Sequence, residues 1–228
     1  MTKVKICGIT NKEDAFWASS LGADFIGLNF CKTSIRKVSV KNAKQIVETL
    51  PQYTSAVGVF VDESQEEIIK ICKKVRINII QLHGGENIEY CKSLKQKKQD
   101  FVIIKVFKIK QSSEIQNQGE YINSLYEAII QYLPYIDYLM FDTYIDDQLG
   151  GTGRTFSWEI VAMLKELFIK NNIEIKFFIA GGLNEENVKD VIELLSPWAV
   201  DVASGVERLP RRKDFEKMKS FIRKVKSL

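Results

Sequence analysis

The run KVKICGIT places Val4 and Ile6 in alternation with Lys5 and Cys7, the period of a strand, and delivers Cys7 to a glycine turn at Gly8. Taken alone, a cysteine there is more often a buried, inert thiol. The argument for chemistry lies in its company. His83, the only histidine, follows a second apolar run, Asp142 follows a third and Asp201 sits in a fourth. With Cys7 pointing inward and Lys5 one layer below it, the same parity groups Ile79 and Gln81 with His83, Met140 with Asp142, and Ala199 and Ala203 with Asp201. A thiol, an imidazole and two carboxyls then converge at one mouth. Such groups bind polar substrates and move protons, although barrels also bury satisfied polar residues for stability alone.

Glycine-bearing turns form a second constellation. Gly181-Gly182 and Ser204-Gly205 follow two successive apolar runs, where closed β/α barrels present backbone amides to a phosphate. Turns need glycine in any case, so neither pair decides alone. Gly153, in the GGTG run at 150–153, either adds donors or loosens its loop.

Positioning these residues takes a particular scaffold. Apolar strand-like runs at 4–7, 24–30, 55–61, 77–82, 101–107, 138–141, 174–180 and 199–203 alternate with amphipathic helical runs. Helices are expected over 12–21, after the cap Ser39, from the Ser64/Glu67 capping box, over 87–97 and 121–133, and after Ser157, Asn184 and Lys213. Eight such pairs predict a (β/α)8 TIM barrel, one catalytic domain over 1–228. A doubly wound nucleotide fold would usually show G-x-G-x-x-G after the first strand, which is absent here. The polar stretch 108–119 is expected as a mobile excursion, and 143–155 as a loop able to act as a lid.

Composition narrows the function. At 228 residues with 45% hydrophobic content, the chain can bury roughly 70–75% of its unfolded surface, and it lacks an apolar run of bilayer length. The net charge of +4 is spread out, without the basic stripe and stacking aromatics of a nucleic-acid binder. Four cysteines without C-x-x-C spacing fit a reducing compartment, and the start of the chain lacks a signal-peptide core, so a cytoplasmic protein is expected. One histidine argues against multi-histidine metal sites.

The chain resembles the phosphoribosylanthranilate isomerases of tryptophan biosynthesis in eight motifs that occur in the same order. They are KICGIT at 5–10, Ser34-x-Arg36, VGVF at 57–60, QLHG at 81–84, FDT at 141–143, GGTG with Phe156 and Trp158, IAGGL at 179–183, and DVASGVE at 201–207. The resemblance implies an Amadori rearrangement of N-(5′-phosphoribosyl)anthranilate with neither metal nor organic cofactor. The phosphorylated small molecule is the expected partner, and the protein is expected as a monomer or homodimer. By the same resemblance, the residue matching Asp142 is the general acid and the one matching Cys7 the base. Arg36 matches the carboxylate binder, with His83 and Asp201 lining the substrate. Gly153, Gly181, Gly182, Ser204 and Gly205 are assigned to phosphate. Ile35 stands where the family usually has proline.

Two other readings compete: a related phosphosugar isomerase of different substrate, and a catalytically silent phosphosugar-binding barrel. The histidine-pathway isomerase would place an aspartate at position 7, and a silent barrel need not keep both Cys7 and Asp142.

Overall fold

The computed structural model describes residues 1–110, 114–143 and 156–228. Eight parallel strands close on themselves in chain order: β1 (Lys3–Ile6), β2 (Phe25–Asn29), β3 (Ser55–Phe60), β4 (Ile79–Leu82), β5 (Val102–Ile109), β6 (Tyr138–Thr143), β7 (Phe177–Ala180) and β8 (Ala199–Val202). The helices are α1 (Lys12–Ser20), α2 (Val40–Val47), α3 (Gln65–Val75), α4 (Ile88–Lys97), α5 (Gln118–Ile130), α6 (Phe156–Lys170), α7 (Val188–Leu195) and α8 (Phe215–Lys226). The eightfold alternation read from sequence is thus a (β/α)8 barrel. Closure comes from β1, which pairs with β2 on one side and β8 on the other, setting Lys5 opposite Asp201.

Local signals set the helix starts. Asn11, Ser39, Ser64 and Asn87 each accept a backbone N–H three residues on, satisfying a donor that the first helical turn leaves free. On α3, Ile68, Ile71, Cys72 and Val75 are all buried, as their spacing predicts.

Inside the barrel, Val57, Ile104, Val106, Met140, Phe178, Ala180 and Ala199 form a separate apolar cluster. At the amino-terminal end of the strands it is closed by aromatic rings: Tyr138 stacks on Trp198 at 4.4 Å, and Phe178 meets both Phe25 and Trp198 edge-on or tilted. The strand carboxyl ends form the other mouth, where chemistry sits in this architecture.

Several boundaries differ from expectation. β1 stops at Ile6, one residue before Cys7, although the Cys7 N–H still donates to Val202 at 2.8 Å. β6 runs on to Thr143, so Asp142 is a strand residue. β5 reaches Ile109 and α5 already starts at Gln118, so both ends of the expected excursion are regular structure, while residues 111–113 within it lie outside the described residues. Lys108 pairs in register with Asp142, and that ladder extends the strand beyond its apolar run. The expected lid at 143–155 lies outside the described residues beyond Thr143. A short antiparallel hairpin, β9 (Glu207–Leu209) with β10 (Arg212–Lys213), intervenes before α8, where the sequence pattern predicts no strand.

Candidate active site

The strand carboxyl ends surround a cavity of about 310 Å³. Cys7 and Gly8 line it from just past β1, Arg36 from the turn after β2, Gln81 from β4 and His83 from the loop that follows it, and Asp142 from β6. Gly181 and Gly182 contribute after β7, and Asp201 and Ser204 from β8 and its following turn. Among the residues singled out by sequence, Gly205 stands behind the wall, its hydrogens against the backbone of Leu183 and Asn184, a space too tight for a Cβ. Gly153 lies outside the described residues.

At the floor, Lys5 is fully buried and its ammonium sits 2.9 Å from Asp201 Oδ1. This pair accounts for a lysine inside a barrel, because a buried cation without a counter-charge would be prohibitive. Burial works against the ammonium, but Asp201 and Cys7 outweigh it and hold the Lys5 proton above its ordinary range. Cys7 lies one layer above. Desolvation pushes its thiol up, Lys5 and Lys213 pull it back, and Asp201 adds to the rise, leaving it above the usual thiol range. Gly27 on β2 makes the close approach possible: a Cβ there would lie 2.7 Å from Cys7 Sγ and 3.1 Å from Lys5 Nζ.

Arg36 reaches the cavity over Gly8, whose φ of +74° and missing side chain leave the path of the arginine stem clear. Its turn is tied down locally. Asn29 Nδ2 donates to Ser34 Oγ at 3.0 Å, and Ser34 Oγ accepts the Arg36 backbone N–H at 3.1 Å. Ile35, in place of the proline, points outward. The guanidinium forks onto Glu207 with Nε 2.8 Å and Nη2 2.6 Å from the two carboxylate oxygens. Lys213, fully buried, completes the chain at 3.2 Å from Glu207 Oε1 and 2.8 Å from the Ala203 carbonyl. Burial lowers the Lys213 ammonium. Glu207, despite its own burial, is held below the ordinary carboxylate range by Arg36 and Lys213.

Across the mouth, His83 Nε2 lies 3.1 Å from Asp142 Oδ2, and His83 Nδ1 lies 2.8 Å from Gln81 Nε2. The loop carrying His83 is stapled from outside the barrel. Glu86 accepts the Asp62 and Gly84 N–H groups and pairs with the buried Lys105 at 2.8 Å.

Sequence reasoning passed over Glu207, Lys213 and Gly27. Glu207 lies inside the DVASGVE motif, but nothing local announces a partner 171 residues away. Among the described residues, no group of three or more His, Cys, Asp or Glu side chains could hold a metal ion. What the arrangement offers is a thiol and a carboxyl on one cavity, a fixed guanidinium at its rim, and two glycine-bearing turns side by side.

The protein-family model for N-(5′-phosphoribosyl)anthranilate (PRA) isomerase matches residues 4–224. Over 228 residues the chain is 37% identical to the N-(5′-phosphoribosyl)anthranilate isomerase of Caldanaerobacter subterraneus subsp. tengcongensis, covering 100% of each. The crystal structure of the Thermotoga maritima phosphoribosylanthranilate isomerase superposes with a TM-score of 0.79 at 35% identity, covering 100% of both chains. Another crystal structure of such an isomerase, in complex with reduced 1-(o-carboxyphenylamino)-1-deoxyribulose 5-phosphate, gives 0.77 at 33%, again over 100% of both. A structure of monomers generated from the dimeric T. maritima isomerase gives 0.78 at 34% over the same coverage.

Proposed function

This chain belongs to the N-(5′-phosphoribosyl)anthranilate isomerase family, and from that premise we propose the residues that carry its reaction. The enzyme serves tryptophan biosynthesis. It converts N-(5′-phosphoribosyl)anthranilate to 1-(2-carboxyphenylamino)-1-deoxy-D-ribulose 5-phosphate by general acid–base catalysis.

Asp142, protonated, gives its proton to the ribose ring oxygen as the anthranilate nitrogen pushes open the C1′–O bond, leaving a protonated Schiff base. Cys7, as thiolate, takes the proton from C2′. The electron pair moves into the C1′–C2′ bond and neutralises the iminium, and the resulting enol tautomerises to the ketone. Both groups are needed in the less usual form, the carboxyl protonated and the thiol ionised. Lys5 favours the thiolate through its charge, while Asp201 neutralises Lys5 and completes the floor beneath the sugar. Arg36 binds the anthranilate carboxylate with the guanidinium edge that Glu207 leaves free. His83 contacts the sugar beside Asp142. The turns at Gly181-Gly182 and Ser204-Gly205 receive the phosphate, and Gly153 is assigned to the same group from its motif alone.

The observation carrying this reading is that Cys7 and Asp142, contributed by strands far apart in the ring, line one cavity. We further propose that residues 1–228 act as one catalytic domain, as monomer or homodimer. The four free cysteines support work in the cytoplasm. Among the described residues no helix is long and apolar enough to cross a membrane.

The test is the change in anthranilate fluorescence as N-(5′-phosphoribosyl)anthranilate is consumed without added metal. Turnover proportional to enzyme is expected. Absence of turnover, with binding of the phosphorylated product analogue intact, would reduce the protein to a binding barrel.

A further inference from the structure

His83 and Asp142 form a hydrogen bond whose direction depends on where the imidazole carries its proton. A neutral ring has one N–H and one lone pair, and the partner of the nitrogen facing away from Asp142 decides which is which. That partner is Gln81. It lies in β4 on the inward face and is almost completely buried. Its Nε2 stands 2.8 Å from His83 Nδ1, while its Oε1 is buried without a hydrogen-bond partner.

We propose that Gln81 is a positioning residue for the acid step: it fixes the tautomer of His83, which in turn determines the oxygen of Asp142 that carries the transferable proton. This rests on the reading of Asp142 as general acid. A carboxamide NH2 only donates, so it requires Nδ1 to accept and places the ring proton on Nε2. That N–H points at Asp142 Oδ2 across 3.1 Å. Because the ring occupies Oδ2 as a donor, the acid proton of Asp142 resides on Oδ1, free of the imidazole. Without Gln81 the ring is free to turn its lone pair toward Asp142 and withdraw the proton from the substrate into a hydrogen bond with Nε2.

The sequence makes the test unusually clean, because His83 is the only histidine. In the full-length protein labelled with 15N, a long-range 1H–15N correlation shows one imidazole. The wild-type ring in its neutral form is expected as the Nε2–H tautomer, with Nδ1 unprotonated. Gln81→Glu replaces the donor by an acceptor and is expected to move the proton to Nδ1. Turnover should then fall on the order of 10-fold or more, with KM within about threefold. Gln81→Met, which keeps the volume but removes the donor, is expected to give a mixture of tautomers and an intermediate kcat.

A proton on Nδ1 in the wild type overturns the proposal, and that spectrum suffices even if both variants fail to fold. An unchanged tautomer in Gln81→Glu, or an unchanged kcat beside a changed tautomer, overturns it equally. The reading of Asp142 is judged separately by Asp142→Asn. Full turnover there removes the acid role whatever the ring shows, whereas lost turnover with Nδ1–H in the wild type removes only the role of Gln81.

Discussion

Arg36 and Glu207 meet as two forks, Nε to Oε1 and Nη2 to Oε2, across a sequence separation of 171 residues. The guanidinium therefore lines the cavity already oriented. On the proposed assignment, replacing it removes charge-assisted bonds to the substrate carboxylate. Arg36→Ala is expected to raise KM by about 10- to 100-fold, the effect of losing hydrogen bonds to a charged group. Initial-rate saturation curves check this, and unaltered curves would move the carboxylate site elsewhere. Glu207→Gln should raise KM as well and, because it strips the buried Lys213 of its counter-charge, also lower the melting temperature.

Cys7→Ala and Asp142→Asn should each lower turnover by about 10²-fold or more, the usual share of a positioned acid or base. Circular dichroism and melting temperature should change little, since both side chains face the cavity. Near-normal turnover in either variant removes the role assigned to it.

Most of the scaffold could be read in advance because its signals are local. Apolar runs marked the strands, and Ser39 and Ser64 marked two of the helix starts as single capping residues. The β9–β10 hairpin was invisible because strands of three and two residues carry no period. Lys108 and Gly119 looked like loop residues. One is nevertheless held in a ladder with β6 and the other sits in the first turn of α5, so tertiary pairing overrode composition. The site divided in the same way. Cys7, His83, Asp142 and Asp201 were legible from strand parity. The importance of Glu207 and Lys213 exists only through contact with Arg36 and the turn after β8, which no window of sequence contains.

Burial, only partly offset by Lys5 and Lys213, holds the Cys7 thiol above its ordinary range. A group with a raised thiol pKa becomes thiolate only as pH climbs past that range, so reactivity should keep rising where a free thiol has levelled off. Iodoacetamide inactivation of a Cys31→Ser variant, followed against pH, reads Cys7 without interference from Cys72 and Cys91, whose buried thiols are pushed up to about 12 and about 11. Lys5→Met removes the nearest positive charge and should move the midpoint to still higher pH. A profile levelling off below that of a free thiol contradicts the electrostatics.

Asp24 links β1, β2 and α8, accepting from Lys226 at 2.6 Å, Lys3 at 2.8 Å and the Val4 N–H at 2.8 Å. Burial opposes its charge, but these bonds prevail and hold the carboxyl below the ordinary range. The native state then binds the proton less readily than the unfolded chain. The stabilisation is complete above the unfolded carboxyl's pKa and disappears as pH falls through the native value. Asp24→Asn should lower the melting temperature at pH 7, with the gap to the wild type closing in acid. Parallel curves across that range would refute the assignment.

Gly27→Ala inserts a methyl where Cys7 and Lys5 already touch. Overpacking of this kind costs about 1–3 kcal/mol, and displacing a reacting group by about 1 Å costs roughly 10²-fold in rate. The variant should therefore remain folded but turn over poorly. Wild-type activity would show that the sulfur has room to spare.

The carboxylate that neutralises Lys5 lies 196 residues further along the chain. During synthesis the ammonium at position 5 waits, in water, until the eighth strand has been made and has docked against the first. No partial barrel, however well collapsed, can seat the sulfur above it. In a refolding experiment the return of turnover therefore times the closing of the ring, and every earlier species stays silent.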